Sequence, residues 1–220
     1  MSARLTAGPV PAADRARTFQ LASLLLTYPD AELLAAGPEL REAAAGIDGI
    51  EGFVEWLIAA TPIEAQRHYV ETFDLRRRSG LYLTYYLHGD TRKRGMALLM
   101  LKQRYRAQGL HLADGELPDL LPVVLEFAAT VGPGDGEAPL RQHRQGIELL
   151  RAALHETSTP YALILDAVCA ALPDLTDADR AAVSALASEG PPVEAVGLDS
   201  VGLGPDLSPY PACSSAEVSR

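Results

Sequence analysis

The acidic and imidazole side chains between His88 and Asp119 are the ones whose types could do chemistry. Asp90 follows His88 by two positions, and Glu116 and Asp119 enclose a Glu-Leu-Pro-Asp turn further along the chain. A carboxylate near an imidazole could serve as a general acid or base, so a small hydrolase using Asp90, His88 or Glu116 is one hypothesis. No nucleophile and base stand at a recognisable spacing to complete such a site. Catalysis is therefore unsupported by the sequence, and we predict that the protein is not an enzyme.

The sequence also lacks the common motifs for metals and nucleotides. It contains no G-x-G-x-x-G, no phosphate-loop motif and no nucleophile elbow. The cysteines, Cys169 and Cys213, form no C-x-x-C pair and are predicted to be free thiols. The histidines show neither H-x-x-x-H nor H-E-x-x-H spacing. We therefore predict no metal site and no bound cofactor. The histidines are His68, His88, His111, His143 and His155.

Positive charge is concentrated in one window of an acidic chain. Residues Arg67 to Arg106 hold ten of the nineteen Lys and Arg residues and only three acidic ones, whereas the whole chain has a formal charge of −10. Six of the thirteen aromatic residues lie between Tyr69 and Tyr105. Aromatic rings beside positive charge are typical of a recognition surface. A regulatory nucleic-acid-binding protein using the basic segment 90–106 is an alternative, but basic residues outside the window are scarce.

Two turns in this region each lead into a predicted helix. Asp90, in the turn Gly89-Asp-Thr-Arg92, is predicted to be the N-cap of the first helix. Asp119, in the turn Glu116-Leu-Pro-Asp119, is predicted to cap the second, which places Pro122 in a first helical turn where its missing N–H costs little. The apolar residues that follow repeat at helical spacing. They are Leu98, Leu101 and Tyr105 in the first helix, and Leu121, Val124, Leu125 and Ala128 in the second.

Four segments carry unusual residue combinations, and they occur in the order 69–74, 81–86, 89–95 and 116–127. Together they resemble the NarJ-type assembly chaperones of respiratory nitrate reductase, also called its delta subunit. Any one of them alone would be a weak signal, but their order makes the resemblance specific. At one position the chain departs from the wider group, which often has histidine directly after the Pro-Asp turn, where Leu120 stands here. The segments are Tyr69-Val-Glu-Thr-Phe-Asp74, Leu81-Tyr-Leu-Thr-Tyr-Tyr86, Gly89-Asp-Thr-Arg-Lys-Arg-Gly95 and Glu116-Leu-Pro-Asp119 with Leu121-Pro-Val-Val-Leu-Glu-Phe127.

The resemblance implies a system-specific chaperone related to the TorD and DmsD types. Such a chaperone binds the N-terminal segment of the nitrate reductase catalytic (alpha) subunit. It assists molybdenum cofactor insertion and assembly of the complex before membrane attachment. The expected partners are that subunit and molybdenum cofactor biosynthesis proteins, with no nucleic acid and no direct membrane insertion. The expected location is the cytoplasm.

The resemblance also points to candidate peptide-binding residues in and around the two turns. We expect the turns to flank one groove, with aromatic side chains forming its wall and acidic groups meeting a basic face of the peptide. Arg92 would orient a carboxylate within the protein or contact an acidic group of the client. The candidate residues are Tyr82, Tyr85, Tyr86, Asp90, Arg92, Glu116, Pro118 and Asp119.

Amphipathic segments with caps recur along the chain and predict an all-α, single-domain helical bundle. Residues 81–87 could be strand or helix, and we predict a helix because nothing nearby offers a pairing strand. The chain lacks both a long apolar run and an apolar N-terminal segment of the signal-peptide kind, so neither a membrane span nor a secretory signal is predicted. We predict a mobile N-terminus at 1–13, the helical domain at 14–189, and a flexible tail rich in Gly, Pro and Ser at 190–220.

Overall fold

The computed structural model describes residues 11–113 and 115–189, except for the side chains of Arg77 and Glu189. Within these residues the fold is all-α, as predicted, with no strand. Residues 1–10 of the predicted mobile N-terminus lie outside the described residues, and so does the whole predicted flexible tail, 190–220. None of the described helices combines the length and the apolar character needed to cross a membrane.

The α-helices follow one another with short connections, and a π-helical turn and a 3₁₀ turn lie between α5 and α6. The π-helical turn spans Val70–Asp74 and the 3₁₀ turn spans Arg77–Ser79. The helices are α1 (Ala12–Leu25), α2 (Ala31–Ala35), α3 (Gly37–Ala44), α4 (Ile50–Ala59), α5 (Pro62–Tyr69), α6 (Leu83–His88), α7 (Arg92–Ala107), α8 (Leu121–Val131), α9 (Ala138–Gln142), α10 (Arg144–Glu156), α11 (Tyr161–Ala171) and α12 (Asp177–Glu189).

Side-chain caps visible in the sequence begin several of these helices. The Asp30 carboxylate accepts a hydrogen bond from the Leu33 N–H, 2.9 Å away, and so caps α2. Thr61 and Glu64 form a capping box at the start of α5. Thr176 starts α12 by accepting a hydrogen bond from the Asp179 N–H at 3.1 Å. These starts could be predicted because each cap acts within four residues.

The core lies where α11 meets α1, α4 and α10, and α1 also packs along α8. Tyr161 of α11 is almost fully buried, and its ring centroid lies 4.8 Å from that of Phe53 and 4.7 Å from that of Phe73. The backbone of α11 approaches Gly49 so closely that an added Cβ would stand 2.4 Å from the carbonyl oxygen of Leu163. This aromatic core fixes α4 and the π-helical turn relative to α11.

Alkaline titration should distinguish the buried tyrosines from the exposed ones. Burial raises the pKa of Tyr69 to about 12, and it raises the pKa values of Tyr86, Tyr105 and Tyr161 further. A tyrosine in the unfolded chain ionises near its ordinary value of about 10, so the folded state is favoured below that pH and loses stability as the pH rises towards 12. We expect these four tyrosines to ionise together with unfolding, as tyrosinate absorbance and circular dichroism would show. Ionisation of all of them in a protein that stays helical would contradict the packing.

Both predicted caps in the two turns are wrong. The residue before α7 is Thr91, and Asp90 instead pairs with Arg94 within the first turn of that helix. The residue before α8 is Leu120, which has no capping side chain, and Asp119 points towards α6.

The prediction of a helix at 81–87 holds from Leu83 onward, but Tyr82 forms an isolated antiparallel bridge with Leu120. The turn before α8 thus supplies the pairing partner that the sequence did not reveal.

Candidate peptide-binding cleft

An open cleft of about 450 Å³ lies between the π-helical turn, the start of α6 and the start of α7. Its wall combines apolar and aromatic side chains with two aspartates and two arginines, and some of the apolar and aromatic side chains are exposed: Leu75 is 73% and Tyr82 is 41% accessible. Exposed apolar groups beside a few charges are typical of a surface that binds a peptide. The lining residues are Phe73, Asp74, Leu75, Arg76, Gly80, Tyr82, Tyr85, Asp90, Arg94 and Leu117.

The π-helical turn shapes one side of the cleft. The Leu75 N–H donates to the carbonyl oxygen of Val70, five residues earlier, at 3.1 Å. This wider turn ends α5 and carries Phe73 and Asp74 to the cleft, with Leu75 directly after them. Single π-helical turns inside helices are frequent at functional sites. The turn therefore presents one acidic and two apolar side chains on the same wall.

The Glu116-Leu-Pro-Asp119 turn is fixed against the start of α6 by main-chain hydrogen bonds. The Leu83 N–H donates to the Asp119 carbonyl at 3.0 Å, and the Leu121 N–H donates to the Leu81 carbonyl at 2.8 Å. The buried hydroxyl of Tyr105 donates to the Pro118 carbonyl at 2.7 Å. The turn is therefore a rigid part of the cleft, and it places Leu117 at the rim.

Arg94 is the side chain that joins the start of α6, the start of α7 and the turn before α8. Its guanidinium carbon lies 5.8 Å from the ring centroid of Tyr82 and 5.9 Å from that of Tyr85, within cation–π range. Its Nη1 contacts Asp90 at 3.2 Å and its Nη2 contacts Asp119 at 3.7 Å. Its Nε donates to Thr84 Oγ1 at 3.3 Å. Arg94 thus holds both tyrosine rings and both turns in one arrangement.

Asp119 is fully buried beneath this arginine. Its Oδ2 accepts hydrogen bonds from the Thr84 hydroxyl at 2.5 Å and from the Thr84 N–H at 3.3 Å. Its Oδ1 has no hydrogen-bond partner among the described residues. A buried carboxylate with two donors from α6 holds the turn to that helix. Asp119 therefore supports the cleft from behind and does not line it.

The structure brings together only some of the candidate site residues. Tyr82, Tyr85 and Asp90 line the cleft, and the side chain of Asp90 is 74% exposed. Tyr86 is buried and donates its hydroxyl to main-chain carbonyls of the preceding loop, so it does not form part of the wall. Glu116 is exposed but lines a different, smaller pocket.

The remaining candidates also lie outside the cleft. Pro118 is buried under Tyr105, and Asp119 is buried beneath Arg94. Arg92 is exposed at the start of α7 and does not line the cleft. Arg94, two residues later, contacts the carboxylates of Asp90 and Asp119.

Sequence reasoning missed Arg94, Leu75 and Leu117. The spacing of Asp90 and Arg94, four residues apart at a helix start, is a pattern that could have revealed their ion pair. Leu75 and Leu117 carry no such signal, because only the folded chain shows that they are exposed. Among the residues described, no group of three or more His, Cys, Asp or Glu could hold a metal ion.

Comparison with known protein families places this cleft in context. The family model described as nitrate reductase delta subunit matches residues 32–165, which include all of the cleft residues. The chain belongs to the nitrate reductase delta subunit family. The resemblance seen in the sequence is thereby confirmed.

Curated relatives and a solved structure agree with membership in this family. A nitrate reductase-like protein NarX of Mycobacterium tuberculosis is 47% identical over 156 residues, which are 69% of this chain and 24% of that protein. The chain thus spans about a quarter of the length of that relative. A probable nitrate reductase molybdenum cofactor assembly chaperone NarJ of Bacillus subtilis is 33% identical over 168 residues, which are 74% of this chain and 91% of that protein.

The fold comparison gives the same result at the level of architecture. A crystal structure of an Archaeoglobus fulgidus protein described as a redox enzyme maturation protein matches with a TM-score of 0.56. The match covers 76% of this chain and 96% of that one, at 23% sequence identity. The predicted fold of the redox-enzyme maturation type is therefore confirmed. The NarJ members of the family are named as assembly chaperones, not as catalysts.

Proposed function

We propose that this protein is an assembly chaperone for a respiratory nitrate reductase, acting in the cytoplasm before the complex attaches to the membrane. It binds the N-terminal segment of the catalytic subunit and keeps that subunit competent for molybdenum cofactor insertion. The proposal is supported by membership in the delta subunit family and by NarJ relatives of comparable length named as such chaperones. The observation that carries the peptide-binding part is the cleft of Tyr82 and Tyr85, which is open and combines exposed apolar and aromatic side chains with two acidic and two basic ones.

The chemistry of the cleft favours an amphipathic segment with a basic edge. Leu75, Leu117 and the exposed ring of Tyr82 offer apolar area to one face of a helix. Asp74 and Asp90 lie at the cleft, and the largely exposed Asp90 can meet a lysine or arginine of the client. Arg94 is already engaged by Asp90 and both tyrosines, so it orders the wall. Arg76 also lines the cleft, so a client can place a basic side chain at Asp74 or Asp90 and an acidic one at Arg76.

Calorimetry with a synthetic peptide tests this proposal. The peptide carries the N-terminal segment of the nitrate reductase catalytic subunit from the same organism. We expect saturable 1:1 binding, and a peptide with the same composition in scrambled order should bind at least about tenfold more weakly, because the apolar face is lost. Equal heats for the two peptides would contradict specific recognition.

A cellular experiment tests the chaperone role separately from peptide affinity. Deleting the gene should leave the catalytic subunit present but depleted of molybdenum. Complementation with the wild-type gene should restore the metal content. A normal molybdenum content in the deletion strain would contradict the role in cofactor insertion, whatever the peptide affinity.

A further inference from the structure

A second cleft, of about 330 Å³, lies between the end of α6, one face of α7 and the junction of α9 with α10. It shares no lining residue with the cleft of Tyr82 and Tyr85. Its polar groups are the imidazoles of His88 and His143, the guanidinium of Arg104 and the amide of Gln142. None of the described residues that line it is acidic, although the chain as a whole is. The cleft therefore concentrates hydrogen-bond donors without a compensating carboxylate.

Arg104 supplies the fixed positive charge of this second cleft. It is partly buried and forms no ion pair with the part of the chain that the structure describes. A guanidinium presents several N–H donors in a planar fork, which matches the oxygens of a phosphate group. By contrast, Arg106 on the same helix is exposed and does not line the cleft. An arginine held in a cleft without a protein partner is a suitable anchor for an anion.

His143 presents a single nitrogen to the cleft. Its Nδ1 lies 2.9 Å from the Pro139 carbonyl oxygen, which can only accept, so Nδ1 carries a proton. Its Nε2 has no hydrogen-bond partner among the described residues and is not fully enclosed. In the neutral ring this Nε2 is an acceptor, and in the charged ring it is a donor. His143 can therefore bind an anion only if one proton lies between Nε2 and the anion.

We propose that the cleft of His88, Arg104 and His143 binds the phosphate group of a phosphomonoester. Arg104 donates to two phosphate oxygens, and His88 donates through whichever ring nitrogen carries its proton. The remaining proton lies between His143 Nε2 and a third oxygen. The apolar wall of Leu87, Met100 and Leu101 faces the organic part of the ester, since the cleft is larger than a bare phosphate requires. This site does not depend on client binding.

The surroundings of His143 favour a ligand that brings its own proton. Burial lowers the pKa of His143, and the neighbouring His88 of α6 and Arg104 of α7 lower it further. The Pro139 carbonyl and the carboxylate of Asp119, which precedes α8, act in the opposite direction. Below its second pKa of about 6 a phosphomonoester carries a hydroxyl, whereas a sulfate carries none at the same pH. The cleft should therefore prefer phosphate to sulfate, and affinity should fall as the pH rises above about 6.

Calorimetry at a pH just below about 6, where phenyl phosphate still carries a proton, tests the site in the full-length protein with inorganic phosphate, phenyl phosphate and sulfate. We expect phenyl phosphate to bind more tightly than inorganic phosphate, and sulfate to bind about tenfold more weakly than either. Arg104→Met should weaken phenyl phosphate binding by about tenfold or more, because a charge-assisted contact is lost. The matched control Arg106→Met, on the same helix, should bind within about twofold of the wild type.

A second readout keeps the test independent of fold defects in the variants. Phenyl phosphate should shift the side-chain nitrogen resonances of His88 and His143 in the wild-type protein and leave those of the exposed His155 unchanged. The proposal is overturned if no ligand binds, if sulfate binds as well as phosphate, or if Arg104→Met binds as tightly as Arg106→Met. It is also overturned if the shifts fall on histidines outside the cleft. Loss of client-peptide binding would not affect any of these outcomes.

Discussion

Asp119→Ala should lower the free energy of unfolding by about 3 kcal/mol, whereas Asp90→Ala should change it by less than about 0.5 kcal/mol. Asp119 is fully buried, and its removal leaves the hydroxyl and the N–H of Thr84 without their acceptor. It also removes the buried partner of Arg94, which is 3.7 Å away. Asp90 is a largely exposed partner of the same arginine, and such pairs contribute little to stability. Urea unfolding followed by circular dichroism measures both changes.

The substitution Asp119→Asn tests whether Asp119 holds the turn to α6 or caps α8. Asparagine caps a helix about as well as aspartate, so the substitution would be nearly silent if capping were the role of Asp119. In the observed arrangement the new amide oxygen can still accept from Thr84, but the buried negative charge opposite Arg94, 3.7 Å away, is lost. We expect a loss of about 1 to 2 kcal/mol. A loss in Asp119→Ala no larger than that in Asp90→Ala would contradict the proposed support of the turn.

Tyr82→Ala should weaken binding of the catalytic-subunit peptide by about 10- to 100-fold with little loss of stability. Tyr82 is 41% exposed at the cleft, so its ring is available to a client, and tyrosines of this kind often dominate a binding interface. Tyr82→Phe keeps the ring and should bind nearly as well as the wild type. Calorimetry gives the affinities, and thermal unfolding checks that each variant is folded. Equal affinities for Tyr82→Ala and Tyr82→Phe would exclude the ring from recognition.

Two variants that each remove one acidic charge distinguish the contributions of the two turns to peptide binding. Asp90→Asn should weaken peptide binding up to about fivefold, and the loss should shrink at high salt because the contact is exposed and screened. Glu116→Gln removes a charge from the other turn, outside the cleft, and should leave affinity unchanged. An effect of Glu116→Gln equal to that of Asp90→Asn would point to general electrostatic attraction in place of a defined cleft.

The helices could be predicted from the sequence because their signals are local. Asp30, Thr61 and Thr176 each act on residues within the next turn, and apolar spacing marks the buried faces. The roles of Asp90 and Asp119 could not be predicted in the same way. A short polar side chain before an apolar repeat resembles a cap, but the partner of Asp119 is Thr84, 35 residues away. Only packing of α6 against the turn decides between these two uses of the same residue type.

The candidate site was predicted at the level of the region and not of each side chain. The adjacent tyrosines Tyr85 and Tyr86 look equivalent in the sequence, yet α6 buries Tyr86 and leaves Tyr85 partly exposed at the cleft. Similarly, Arg92 and Arg94 differ only by their position on α7, and Arg94 is the one that reaches both turns. Which of two neighbouring residues of the same type faces the cleft depends on the rotation of its helix about the helix axis. The packing partners of the helix set that rotation.

Photo-crosslinking from within the cleft tests most directly whether the N-terminal peptide of the catalytic subunit binds in the cleft of Tyr82 and Tyr85. Tyr82 is replaced by p-benzoylphenylalanine, and the variant is irradiated with the N-terminal peptide of the nitrate reductase catalytic subunit. A control carries the same group at Leu163 of α11, which is partly exposed and does not line the cleft. We predict a crosslink from position 82 that excess unlabelled peptide abolishes, and none from position 163. Crosslinking of equal yield at both positions, or none at position 82 under conditions where the peptide binds, would contradict the assignment of this cleft.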